Sequence, residues 1–192
     1  MNIPNPKFEI VCAGIPRSGS TMLYRALMGL PPGSTTPSPQ VGPILKTHSF
    51  RPREFVGMRA AVFIFGDPID AIVSTRMRRW VKGHFVNCGA GDLDLEAVDI
   101  FREDILNYEA MFDAWMRRQS FDTVCVRYER LHENADIIAG FLNQPLVLPP
   151  HKHRADYSTQ ICAEDLAAAR ITYKKLIRKI ERAPDVSIWR KK

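Results

Sequence analysis

An α/β fold is predicted, three layers deep with a central parallel sheet between helices, and three observations predict it. Phe8 to Ala13 and Ala60 to Phe65 are apolar runs of strand length, as strands buried on both faces of a parallel sheet require. Each run ends in a small-residue or proline punctuation and gives way to apolar residues at helical spacing. The alternation then repeats, with Phe121 to Tyr128 as a further strand before a short helix from Asn134 to Leu142. Strands alternating with helices imply right-handed crossovers and a sheet covered on both faces. The chain of 192 residues is read as a single domain, residues 1–192. A chain of that length buries roughly 70% of its unfolded surface.

The first strand leads into the most informative stretch. Gly14 to Gly19 is a tight loop of small residues, and from Ser20 the apolar positions Leu23, Ala26, Leu27 and Leu30 mark a helix. A strand, a small-residue loop and a helix N-terminus make an anion site, because first-turn N–H groups lack partners and the helix dipole adds positive charge. The spacing Gly14-x-x-x-x-Gly19-Ser20-Thr21 nearly fits the Walker A pattern of a P-loop NTPase-like fold. Ser20 stands where that pattern carries lysine, and the cation of the loop is Arg17 instead. A phosphate cradle without the usual ATP–Mg²⁺ arrangement follows.

Residues 31–43 are rich in proline and form a loop. Ile44 to His48 is a short strand ending in Lys46, Thr47 and His48. After Ala60 to Phe65, Asp67 is a helix N-cap with Pro68 in the first turn, and the helix runs through Ile72, Val73, Arg76, Met77 and Trp80. Lys82 to Asp92 reads as a loop. From about Asp94 a long helix is expected on the spacing of Leu95, Val98, Phe101, Ile105, Tyr108, Phe112 and Trp115. Residues 145–150 are a loop, His151 to Arg154 a basic segment, and 163–182 one amphipathic helix with Arg170, Lys174, Lys175, Arg178 and Lys179 on its solvated face. His84 and His132 read as solvated, and Tyr128-Glu129 as the cap of a strand. In a parallel sheet ligands sit beyond the carboxyl ends of the strands. That gathers Arg17 to Thr21, Lys46 to His48, Gly66 to Ser74 and Arg127 to Glu129 at one edge.

The net charge of +6 suits polyanionic partners or an enzyme for a phosphorylated small molecule. No familiar nucleic-acid motif is present, so no nucleic acid is expected. No apolar run approaches the length of a membrane span, and no signal peptide is visible. Cys12, Cys88, Cys125 and Cys162 lack metal-ligand spacing and read as free thiols of a cytoplasmic protein. No metal site is expected.

Four segments in order resemble one family. Ile15-Pro16-Arg17-Ser18-Gly19-Ser20-Thr21-Met22 resembles the 5′-phosphosulfate loop of sulfotransferases. Lys46-Thr47-His48 resembles the Lys-Thr-His that ends their next strand. Phe63 to Ser74 is similar to their 3′-phosphate segment, and Val126-Arg127-Tyr128-Glu129-Arg130-Leu131 to their Tyr-Glu-Asp-Leu strand end. The resemblance implies 3′-phosphoadenosine 5′-phosphosulfate (PAPS) as donor, no metal, and transfer of the sulfuryl group to a hydroxyl or amine of a small-molecule or glycan acceptor. By position, Arg17, Ser18, Gly19, Ser20 and Thr21 would hold the 5′-phosphate. Lys46 would reach the sulfuryl oxygens, His48 would be the general base, titrating near neutral pH, and Ser74 would bind the 3′-phosphate. Arg17 and Lys46 would stabilise the charge that develops on the bridging oxygen. The family carries arginine where this chain has Gly66, so Arg76, Arg78 or the His153-Arg154 segment would have to replace it. Two other functions stay open: a small P-loop kinase using Asp67 as its acid, and a catalytically weak nucleotide- or anion-binding module.

Overall fold

A computed structural model describes residues 8–31, 42–79, 81–88, 99–151 and 157–191. The strands are β1 (Ile10–Gly14), β2 (Ile44–Thr47), β3 (Ala60–Phe65), β4 (Asp122–Arg127) and β5 (Val186–Trp189). The helices are α1 (Ser20–Leu27), α2 (Pro68–Met77), α3 (Val81–Asn87), α4 (Tyr108–Trp115), α5 (Ala135–Leu142), α6 (Ala163–Thr172) and α7 (Lys174–Arg182). The sheet runs β2-β1-β3-β4-β5. The first four strands are mutually parallel, while β5 pairs antiparallel with β4. The architecture is therefore α/β with a mostly parallel sheet, a correction to the all-parallel expectation. β5 is only four residues, too short to announce itself.

Alternation along the strands separates two cores. Ile10, Cys12, Val62, Ile64, Val124 and Val126 meet Leu23, Tyr24 and Leu27 of α1 and Ile138 and Leu142 of α5. Val11, Ala13, Ala61, Phe63, Phe65 and Cys125 meet α2, α4, α6 and α7 on the other face, together with Phe85 of α3. The chain leaves β1 for β2 on one side and returns to β3 on the other. The ends of β1 and β3 thus frame the crevice where doubly wound sheets bind ligands.

Three helix expectations are corrected. Lys82 to Asp92 is not all loop, because α3 covers Val81–Asn87 and buries His84 and Phe85; residues 89–98 lie outside the described residues, as does Trp80. The long helix from Asp94 is, within the described residues, turns up to Asn107 and helix only from Tyr108. Asn107 takes a left-handed φ of 54°, and the Asp104 carboxylate accepts from the N–H groups of Tyr108 and Glu109, both at 2.9 Å. Phe101 and Ile105 are still buried; their spacing reports burial, and turns satisfy it as well as a helix. The helix over 163–182 breaks at Tyr173, whose hydroxyl reaches back to the carbonyls of Ile100 at 3.0 Å and Glu103 at 3.1 Å. Lys179 leaves the solvated basic face for Glu109 and Asp113 of α4, at 2.8 and 2.6 Å. The four cysteines are free thiols. Among the described residues no helix is long and apolar enough to cross a membrane.

Two glycines give opposite predictions. A Cβ at Gly14 would stand 2.5 Å from Ile64 Cγ2 and 2.9 Å from the Ile64 carbonyl. Gly14→Ala should cost about 1–3 kcal/mol by overpacking. Gly140, inside α5, has open space around its Cβ position. Gly140→Ala should gain about 0.5–1 kcal/mol. Urea unfolding of both variants checks the pair; equal effects would contradict the packing described at Gly14.

Candidate functional site

The loop between β1 and α1 is held open by its own backbone. Gly19 precedes α1 at φ 84°, no side chain caps the helix, and no acidic residue lies in its first turn. The first intrahelical bond runs from Leu23 N–H to the Gly19 carbonyl at 3.0 Å. The earlier N–H groups of that turn therefore face forward, as an anion site requires. Only glycine serves at 19, since the ring of Tyr128 lies against it where a Cβ would stand. Ser18 spends its N–H on the Ile15 carbonyl at 3.1 Å, while its Oγ is buried with no protein partner. A buried hydroxyl in that state is costly unless a ligand meets it.

Arg17 takes a left-handed φ of 67°. Such a backbone costs about 1–2 kcal/mol in a residue with a side chain. It is braced by a hydrogen bond from Arg17 Nε to Ser74 Oγ at 3.0 Å. Ser74 is fully buried in α2. Its hydroxyl thus orients the loop's cation, and sequence reading had no means of pairing residues 57 positions apart. Tyr108 supports the same turn from α4, its hydroxyl 3.5 Å from the Pro16 carbonyl.

The tip of β2 closes on this loop. His48 Nδ1 lies 2.6 Å from the Gly14 carbonyl, and because a carbonyl only accepts, Nδ1 carries the hydrogen. Nε2 is then the lone-pair nitrogen, and Lys46 Nζ donates to it at 3.3 Å. His84 of α3 stands edge-on to His48, with ring centroids 5.3 Å apart and planes at 90°. Both rings are buried, which corrects the expectation of a solvated His84. Nothing in a lone histidine of a glycine-bearing segment signalled this neighbour.

Burial pushes His48 down to about 3, with help from the Lys46, His84 and Arg17 charges and against the Gly14 hydrogen bond. Burial likewise takes His84 to about 4, aided by Arg17 and Lys46. Lys46 is lowered chiefly by desolvation. The expectation that His48 titrates near neutrality is therefore corrected: at pH 7 it is neutral, its basicity suppressed first by burial and then by neighbouring cations, of which an anion would offset only the second.

The crevice beyond β3 has the opposite polarity. Asp67 Oδ1 caps α2 by accepting from Ile69 N–H at 2.7 Å and Asp70 N–H at 3.2 Å. Glu129 Oε1 accepts from Asp67 N–H at 3.1 Å and would lie 2.9 Å from a Cβ on Gly66. Where the resemblance calls for an arginine, this chain holds a carboxylate. Arg76 and Arg78 are exposed, and His153 and Arg154 lie outside the described residues. Tyr128 and Glu129 thus do more than cap a strand: one walls the loop and the other fills the crevice.

Beside α1 lies a cavity of about 970 Å³, lined by Thr21, Met22, Arg25, Tyr128, His132 and Leu148 among others but not by His48 or His84. His132 is not fully solvated either, its Nε2 lying 2.9 Å from the Pro149 carbonyl. Among the described residues no group of three or more His, Cys, Asp or Glu side chains could hold a metal ion. No protein-family model matches the chain, and no curated protein matches it in sequence.

The pH dependence of stability follows from the two imidazoles. Their folded values lie below the ordinary value of about 6.5, so as pH falls the unfolded chain binds protons that the folded chain refuses. The stability they carry is complete above about pH 6.5 and is lost as pH falls towards about 4 and 3. Stability measured between pH 6.5 and 5, above most carboxylate titration, should fall less steeply in His48→Asn, which keeps a donor for Gly14, than in the parent. Each imidazole contributes up to about 1.4 kcal/mol per pH unit. Parallel slopes would contradict the burial of a neutral His48.

Proposed function

We propose that the chain is a sulfotransferase of P-loop NTPase-like fold that moves a sulfuryl group from PAPS to a hydroxyl or amine acceptor. The observation that carries this reading is the convergence of Arg17, Lys46 and His48 on one uncapped helix N-terminus, with His48 Nδ1 bonded to the Gly14 carbonyl at 2.6 Å. The 5′-phosphosulfate end lies on the N–H groups of Gly19 to Thr21, with Ser18 Oγ and Arg17 beside it. The acceptor oxygen attacks sulfur, the bond from sulfur to the 5′-phosphate oxygen breaks, and the electron pair stays on that oxygen. Arg17 and Lys46 stabilise the charge that develops there. The acceptor proton goes to His48 Nε2, which becomes available once Lys46 turns from it to the anion.

The attacking and leaving oxygens lie on opposite sides of sulfur, so the acceptor enters by the histidines and the nucleoside leaves by the far flank of α1, where the Tyr128-lined cavity opens. The crevice of Glu129 and Asp67 gives a 3′-phosphate no cation, so that phosphate contributes little there. The acceptor is a small molecule or glycan, and a reducing cytoplasm suits four free thiols. A second reading, a catalytically weak nucleotide- or anion-binding module, is favoured by the same carboxylates. The kinase reading loses support because Asp67 is spent on capping α2.

Adenosine 3′,5′-bisphosphate at about 100 times Kd should stabilise the protein by about 2.7 kcal/mol, roughly 5–10 °C at this size. Labelled PAPS should give transfer that His48→Asn lowers by about 10²–10⁴ while donor binding persists. A thermal shift with ATP–Mg²⁺ alone would turn the assignment to the kinase. Binding without transfer would leave the module.

A further inference from the structure

We propose that His84 is a working member of the anion site, set against His48 so that an arriving dianion is met by two fixed cations and by the His84 imidazole, which takes up a proton from solvent. The proposal rests on the anion cradle of the reading above, but not on the donor or on sulfuryl transfer.

The geometry brings four basic side chains from three separate elements to one place. Arg17 comes from the β1–α1 loop, Lys46 and His48 from β2 and its end, and His84 from α3. The two rings meet edge to face at 5.3 Å. The charges that act on His84 are those of Arg17 and Lys46, and those on His48 are Lys46, His84 and Arg17. All are positive. Just past α3, Cys88 is held up at about 12 by burial and by Asp104. Tyr108 of α4 is likewise pushed up by burial. Both are neutral at pH 7, and the nearby Asp104 is spent on the N-terminus of α4.

A buried pair of imidazoles among fixed cations is unfavourable to charge while the cations stand alone. A dianion on the Gly19–Thr21 backbone reverses the local field and draws Lys46 from His48 Nε2. His84 then becomes protonatable and supplies a charge that a histidine used only for packing would not, while His48 Nε2 keeps its lone pair. Arg17 and Lys46 are half-buried and the two rings are buried. The ligand class is a tetrahedral dianion, as the end of a sulfate or phosphate ester.

Inorganic sulfate is the probe, because it carries no proton of its own near neutrality, so any uptake belongs to the protein. Imidazole NMR titrations of the whole chain, in sodium sulfate and in sodium chloride of equal ionic strength, read each histidine. His84→Asn and His48→Asn identify the signals; His84→Gln serves if the asparagine variant does not fold. In sulfate the His84 midpoint should rise by about 1–3 pH units, and sulfate affinity should weaken from pH 5.5 to 7.5. That pH dependence should be smaller in His84→Asn. Sulfate that perturbs the Gly19–Thr21 amides while leaving the His84 midpoint in place would overturn the proposal, as would an absence of sulfate binding. An unmoved His84 midpoint leaves PAPS-dependent transfer untouched, and that transfer is read separately with labelled donor. Conversely, a chain that passes this test and transfers nothing loses only the sulfuryl assignment.

Discussion

A single hydrogen bond, from His48 Nδ1 to the carbonyl of Gly14 at 2.6 Å, joins the tip of β2 to the β1–α1 loop. It fixes the tautomer, so the lone pair of Nε2 points to Lys46, and it sets the distance between imidazole and cradle. Parallel pairing of β1 with β2 brings Lys46 level with Cys12 and delivers His48 just beyond the last paired residue. Gly14 itself cannot be larger, because Ile64 and Ser20 crowd its Cβ position. The chemistry at this edge depends on that crowding: a loop displaced by one side chain would lose the acceptor for Nδ1.

The electrostatics divide the carboxyl edge of the sheet into two halves. By β1 and β2, positive and protonatable groups suppress one another in a buried space, and an open helix end adds to them. By β3 and β4, Asp67 and Glu129 close the N-terminus of α2. One half invites an anion and the other repels it. A ligand with a charged end and an apolar body meets both demands, since the cavity beside α1 carries Met22, Leu27, Tyr128 and Leu148.

Much of this was legible in the sequence. The apolar runs of β1, β3 and β4 became buried strands, and the small residues between Gly14 and Gly19 became the loop. Lys46 and His48 arrived at its side, as a strand ending in polar groups suggested. What was hidden depends on contacts between distant residues. The brace from Arg17 to Ser74 and the Glu129 carboxylate against Gly66 have no local signal. α3 was obscured by Gly83, and His84 with it. The break at Asn107 was masked because the apolar spacing of Phe101 and Ile105 fits buried turns as well as a helix. β5, at four residues, is too short to stand out among the basic residues that follow it.

A crystal structure of the chain with adenosine 3′,5′-bisphosphate would test the anion cradle and its imidazole most directly. The 5′-phosphate should lie on the backbone of Gly19 to Thr21, with Lys46 Nζ drawn from His48 towards it and the nucleoside on the Tyr128 side of α1. A 5′-phosphate bound away from that loop, with Lys46 still on His48, would contradict the site and the function built on it.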